Sequence, residues 1–363
     1  MELHHWANGI VALLVAGAFW AWRRARRNDL WRQAARGLWR RRPLAIVAVS
    51  LFVAVALSDS VAWKGGGGTG GLVPRLVPGC QAQPAGQDTR GAGDAVAIHK
   101  PRSLIDRLFP IDFQERSYSA PLAAAEFYGE FALAYPGCHL LGTDILGRDV
   151  FMQTLKGARV ALLIGGLTSL IVIPLALLFG VSAGYFGGRI DDVVFFVMST
   201  LASMPSILLL IALIMVLGRG PVQVCVALGV TSWVGFCRIS RGETLKLREL
   251  DYVQAARALG ASEWRIVLRH ILPNLMHLVV ITFVLLFSGT VLSEAILAFL
   301  GIGIDGSWGQ MIDQARDELA RDPIIAWNLA SASAALFGLI LSVNLVGDAI
   351  RDILDPRTLR ENL

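Results

Sequence analysis

Few residues in this chain are spaced for bond-making chemistry. The glycine run GGGGTGG at 65–71 has the flexibility of a phosphate cradle. It lacks the lysine and the following helix of the GxxxxGK[ST] nucleotide loop, so the chain has no P-loop route to ATP. No zinc-ligand spacing, aromatic RNA platform or DNA-reading motif occurs, and no catalytic residue and no cofactor is expected. What remains are groups suited to turns, pairing and contact. Asp144, Arg148 and Asp149, within HLLGTDILGRD, could close a hydrogen-bonded turn by capping, or present charge to a solute. Glu294 is a carboxylate inside an apolar block, where acids face a cavity or a partner or reach back to water. The four cysteines form no CxxC pair. Cys225 and Cys237 lie in or at the edge of an apolar span, as small buried hydrophobes. Cys80 and Cys138 share one polar segment, where they either form a disulfide or stay as two free thiols.

The elements that must position these groups are membrane spans. Of 363 residues, 55% are hydrophobic and 17% charged, and the hydrophobic ones come in blocks. Each block is about 20 residues long, enough to cross a hydrocarbon core of about 30 Å as a helix. The blocks are Trp6–Trp22, Leu44–Ala62, Val160–Tyr185, Val193–Leu217, Val222–Cys237, Leu275–Leu300 and Ala326–Ile350, seven spans in all. Backbone groups in lipid must be satisfied within each segment, and the alternating strands of a β-barrel are absent, so the fold class is an all-α polytopic membrane protein.

Charge orients the spans. The net charge of +5 is not spread evenly: nine arginines lie between Arg23 and Arg42 against one acid, Asp29. Arginines beside apolar spans face the cytoplasm and anionic lipid, which argues against a nucleic-acid partner. No Lys or Arg precedes Trp6, whereas Arg23, Arg24, Arg26 and Arg27 follow Trp22, the reverse of a cleavable signal peptide. The first span is therefore expected to be an uncleaved anchor with its N-terminus outside. Residues 28–42 read as an interfacial amphipathic helix, with Leu30, Trp31, Ala34, Ala35, Leu38 and Trp39 on one face and Arg32, Arg36 and Arg40 on the other. Anionic lipid is thus an expected partner at 23–42.

The resulting organisation is an anchor and basic helix at 1–42, a span at 43–63, a periplasmic insert at 64–150, a core at 151–350 and a cytoplasmic tail at 351–363. Within the insert, residues 64–100 read as flexible coil, and helical stretches are expected near Ser103–Leu108 and Pro121–Leu133. A short inside loop falls at 186–192, a short outside turn at 218–221 and an acid-rich outside segment at 301–325. Residues 238–274, with Arg238, Arg241, Lys246, Arg248, Arg257, Arg265 and Arg269, fall inside.

That inside loop is no ordinary connector. Asp251 to Leu259 are good helix formers, and Gly260 ends them as a left-handed cap would. Ser262 can cap a second helix, Glu263–Leu272, which Pro273 is expected to close. The small residues Ala255, Ala256 and Ala258 would let another protein approach closely.

The stretch DYVQAARALGASEWRIVLRHILPN resembles the cytoplasmic EAA loop of ABC importer permeases. The match covers Ala255, Ala256, Gly260, Leu272 and Pro273. Gln254 stands where the family usually has glutamate, which keeps length and hydrogen bonding but loses the charge. HLLGTDILGRD at 139–149, LSEAILAFLGIG at 292–303 followed by Ser307-Trp308-Gly309, and GDAIRDILDPR at 347–357 are similar to segments of dipeptide and oligopeptide permeases. The likeness spans about 139–357 and points to the second-permease (DppC/OppC) type. The long outer insert and extra leading span depart from that pattern, and their layout is similar to the YejE-type branch.

The resemblance implies an ABC importer type I permease core with an extra N-terminal transmembrane helix and a periplasmic insert. It also implies a multi-pass subunit of the bacterial inner membrane that moves peptides or peptide-like solutes. Implied partners are a second permease in a heterodimer, two cytoplasmic ATP-binding subunits and a periplasmic solute-binding protein. Implied ATPase-coupling residues are Tyr252, Gln254, Ala255, Ala256, Leu259, Gly260, Ala261 and Pro273. Two rivals stand beside it. A secondary transporter would place paired charges mid-span, where this chain has almost none. A membrane-anchored sensor or scaffold would work through 64–150 and would not need the loop.

Overall fold

The computed structural model describes residues 42–60, 62–63, 102–103, 105–106, 115–128, 131–133 and 136–354. The expected first span, the coil at 64–100 and, save for Arg42, the surface helix at 28–42 lie outside them. Nine helices are numbered here: α1 Pro43–Ser60, α2 Val150–Phe186, α3 Gly188–Ala202, α4 Ser206–Leu217, α5 Pro221–Arg248, α6 Asp251–Ala258, α7 Glu263–Ile302, α8 Trp308–Leu319 and α9 Trp327–Leu354. Five of them (α1, α2, α5, α7 and α9) are long and apolar enough to cross a membrane, and α3 with α4 makes a sixth if the bent pair counts as one span. β1 (Ala62–Trp63) and β2 (Arg102–Ser103) pair antiparallel and return the chain to the end of α1.

α2 organises the bundle. Gly157, Ala161, Gly165, Ser169, Ala176, Gly180 and Gly184 are buried along it at three- to four-residue spacing, or multiples of it, a ridge of small residues. In lipid, helices gain little from apolar burial alone, so close backbone approach over small residues is what packs them. A Cβ at Gly165 would lie 2.5 Å from the Phe287 ring of α7, and one at Gly184 would lie 2.7 Å from the Arg241 carbonyl of α5. The Ser288 hydroxyl of α7 donates to Asn344 Oδ1 of α9 at 2.9 Å.

Several boundaries differ from expectation. The block 193–217 is not one straight span: α3 and α4 meet at a 92° bend. Pro205 keeps Met204 out of helical geometry and starts α4 afresh. α2 begins at Val150 rather than Val160, because Asp149 caps it. Residues 121–128 and 131–133 form turns and an Ala125–Ala132 bridge instead of a helix, with Leu122 at φ 58°. Of the helical stretch expected at Ser103–Leu108, Ile105 and Asp106 are helical, Ser103 belongs to β2, and the others lie outside the described residues. There the Asp106 amide donates to the Ser103 hydroxyl at 3.3 Å and the Ser103 amide to Asp106 Oδ2 at 2.9 Å.

The expected loop at 238–274 is mostly helix. α5 runs on to Arg248, and α7 starts at Glu263, so only about 249–262 lies between them. Pro273 does not close a helix. A π turn at Val267–Ile271 precedes it, and the Leu272 amide bonds back to Val267 O. That extra residue in the turn rearranges the bonding just where proline lacks a donor, so the helix continues into the membrane as one element.

Candidate functional site

The two ends of the bundle carry different chemistry. At one end sits α6, between α5 and α7. A helix rises about 1.5 Å per residue, so α5 from Arg238 to Arg248 carries the chain about 16 Å past its apolar stretch. α6 therefore stands clear of the hydrocarbon zone.

α6 is shaped by local rules. Asp251 in its first turn complements the helix dipole. Gly260 adopts φ 80°, the Ala261 amide donates to Ala256 O at 3.1 Å, and the Gly260 amide donates to Arg257 O at 3.0 Å. That pair of bonds is a Schellman closure. Ser262 occupies the next N-cap position, but its side chain makes no capping bond.

Val253 alone on α6 is buried, at 0% exposure, against Val181, Tyr185, Ile266, Val267, Ile271 and Leu275. The opposite face is open: Tyr252 and Ala255 are exposed, and Leu259 is 88% exposed. Ala256 and Ala261 are half-buried. The Tyr252 hydroxyl accepts from Asn274 Nδ2 at 3.0 Å, which props its ring near His270. Gln254 Nε2 donates to the Arg248 carbonyl at 3.0 Å, satisfying one of the orphan acceptors at the end of α5. Arg241 and Asp191 form a two-bond ion pair that fixes the start of α3 to α5. Tyr185, Arg257 and Glu263, which the sequence did not single out, also meet here.

At the opposite end, Asp144 is fully buried. It accepts from the amides of Leu146 at 2.9 Å and Arg148 at 2.8 Å, from Arg148 Nε at 2.8 Å and from Gln153 Nε2 at 3.1 Å. Asp149 accepts from the Met152 amide at 2.8 Å, as the N-cap of α2, and pairs with His139 Nδ1 at 2.8 Å. His139 Nε2 lies 3.3 Å from Glu115. Burial pulls the imidazolium pKa down, but the bonds to Asp149 and Glu115 outweigh it and raise it to about 9. The expected trio is thus brought together, with a histidine and a glutamate that were not anticipated.

Two more acids are buried near this end. Glu294 is 4% exposed beside Ser307, the N-cap of α8, and its Oε1 has no hydrogen-bond partner among the described residues. Glu318 accepts from Asn328 Nδ2 at 3.2 Å, and burial pushes its carboxyl pKa upward. The Tyr118 phenol is pushed up to about 12, first by burial and then by Glu318. The indole of Trp308 donates to the Thr154 carbonyl at 2.8 Å and fastens α8 to the start of α2, and that of Trp327 donates to the Thr143 carbonyl at 3.0 Å and fastens α9 to the segment before α2. Cys225 and Cys237 are buried free thiols. Cys138 is buried and disulfide-bonded, and Cys80, its expected partner, lies outside the described residues.

Comparison with known proteins bears on both ends. The family described as "Binding-protein-dependent transport system inner membrane component" matches residues 176–360, from the second half of α2 through α6 to the tail. The glutathione transport system permease protein GsiD of Pectobacterium atrosepticum is 37% identical over 222 residues, 60% of this chain and 73% of that protein. The oligopeptide transport system permease protein OppC of Bacillus subtilis is 34% identical over 222 residues, covering 60% of this chain and 72% of its own length. The dipeptide transport system permease protein DppC of the same organism is 37% identical over 229 residues, 61% of this chain and 70% of that protein.

Proposed function

Since the chain belongs to the family of binding-protein-dependent transport system inner membrane components, we propose that it carries peptides or peptide-like solutes inward and that α6 is its contact with the ATP-hydrolysing subunits. It is a multi-pass permease subunit of an ABC importer in the bacterial inner membrane. The α6 end faces the cytoplasm, as its arginines demand, and residues 115–149 face the periplasm. A periplasmic binding protein delivers solute there, and a second, different permease completes the pathway. Two cytoplasmic subunits hydrolyse ATP, and this chain performs no chemistry of its own. Anionic lipid holds the basic stretch at 23–42, and Cys80 pairs with Cys138.

One observation carries the reading: α6 turns a single buried residue, Val253, inward and leaves Tyr252, Ala255 and Leu259 open well beyond the apolar spans. An exposed small and apolar face on a short helix has no purpose in water, but it fits a cleft in a partner. Gln254, Ala256, Gly260 and Ala261 shape that face, and Pro273 with the π turn before it sets the angle at which α7 leaves it. Asp144, Arg148 and Asp149 hold the outer mouth in shape, and Glu294 lines it.

Gly260 tests the reading. Nothing lies within 4 Å of a Cβ placed there, so a substitution acts through its φ of 80° alone. Gly260→Val costs about 1–2 kcal/mol or more in backbone strain, whereas Gly260→Asn tolerates the left-handed region. Valine is expected to lower co-purification of the ATP-binding subunits several-fold, asparagine much less. Full co-purification and unchanged transport with valine would remove α6 from the contact.

A further inference from the structure

α6 is held to the rest of the chain by little apolar surface, so its polar bonds decide what moves with it. Gln254 ties it to α5 and Tyr252 ties it to α7. Among the described residues, its polar bonds to α2 run through Tyr185. The Tyr185 hydroxyl donates to the Glu263 carboxylate, and Arg257 Nη2 donates to the same hydroxyl at 3.2 Å. Arg257 also lies 3.6 Å from Glu263 and 5.5 Å above the Tyr185 ring. Three elements thus meet in one cluster: the end of α2, the last turn of α6 and the first residue of α7.

The Arg257–Glu263 pair is half-exposed, and a pair in that setting contributes little on its own. The buried tyrosine makes the cluster directional. Its ring packs with Val181, Val253 and Ile266, and its hydroxyl bridges the two charges. Directly after Phe186 stand Gly187 and Gly188, both at positive φ, 67° and 53°. They make the joint between α2 and α3, in a conformation that L side chains rarely adopt.

We propose that Tyr185, Arg257 and Glu263 are the positioning residues through which movement of α6 reaches α2 and α7. The inference rests on the reading of α6 as the ATPase contact. As α6 rocks about Val253, Arg257 one turn further on pulls the bridged hydroxyl and carboxylate together. α2 and α7 then move as a pair, while α3 is left behind at the glycine joint.

The test uses the full complex with its ATP-binding subunits, in lipid nanodiscs, trapped with ATP and orthovanadate. Amide hydrogen exchange over 251–258 reports docking, and exchange over 150–159, at the far end of α2, reports transmission. Tyr185→Phe keeps the ring packing and removes the bridge. It is expected to leave 251–258 protected while the trapping-induced change at 150–159 falls about tenfold, the scale of a lost hydrogen bond to charged groups. Arg257→Glu and Glu263→Arg should each show the same loss, and the two together should recover most of it, because a hydroxyl bridges either order of charge. A full change at 150–159 in Tyr185→Phe overturns the proposal, as does no change there in the unsubstituted complex. Lost protection at 251–258 in Tyr185→Phe also overturns it, since the tyrosine then only shapes the docking face. If 251–258 is unprotected even in the unsubstituted complex, the docking reading fails and takes this inference with it.

Discussion

Gln254 shows how much one side chain can change the meaning of a motif. From the residues alone it reads as a glutamate position that has lost its charge. In the structure its amide donates to the Arg248 carbonyl, a bond that an ionised glutamate cannot make. The substitution therefore adds a cap to the end of α5. Gln254→Glu should cost about 1 kcal/mol locally, and amide exchange over 251–258 should accelerate several-fold in the isolated chain. Unchanged exchange would show that the bond contributes nothing. The short helix and its small residues were legible at this scale because alanine and glycine declare themselves by type. Gly260 and its left-handed cap could be read directly. Tyr185 and Glu263 could not: one ends an apolar block, the other opens a polar loop, and only the return of the chain through α5 brings them together.

Among the elements, apolar blocks located the spans, and their ends went astray wherever a local rule overrode the block. Asp149 extends α2 by a cap, Pro205 breaks the block 193–217 into two helices, and a π turn carries α7 through Pro273. Proline was thus missed as a break where apolar length dominated, and expected as a stop where a π turn absorbs it. The cap formed by the described residues of 115–149 was the least legible part, because its order comes from buried polar pairs between residues far apart in sequence. His139 makes that order pH-dependent. Its folded pKa of about 9 lies above the unfolded value of about 6.5, so the stabilisation is complete below about pH 6.5 and is lost as pH rises through about 9. Limited proteolysis of 115–149 should therefore accelerate over that window, and His139→Gln should flatten the profile. An equally steep profile in His139→Gln would assign the transition to another group.

Among the described residues, a polar, cross-tied cap lies at one end and the exposed helix α6 at the other, joined by α2 and α7. That division suits the proposed roles, in which one end receives solute and the other receives force. The membrane class, the inner-membrane location and the permease family were all within reach of the sequence, because span length, charge asymmetry and the loop motif are local features. Membership of the binding-protein-dependent transport family disfavours both the secondary-transporter and the scaffold readings. The central claim is that the open face of α6 meets the ATP-binding subunits. A photo-reactive amino acid at Leu259, which is 88% exposed, tests this most directly in intact membranes. The account predicts a cross-link to an ATP-binding subunit, and none to that subunit from Phe337, an exposed residue within the α9 span. Cross-linking at Leu259 to lipid alone, in membranes where the ATP-binding subunits are present, would contradict it.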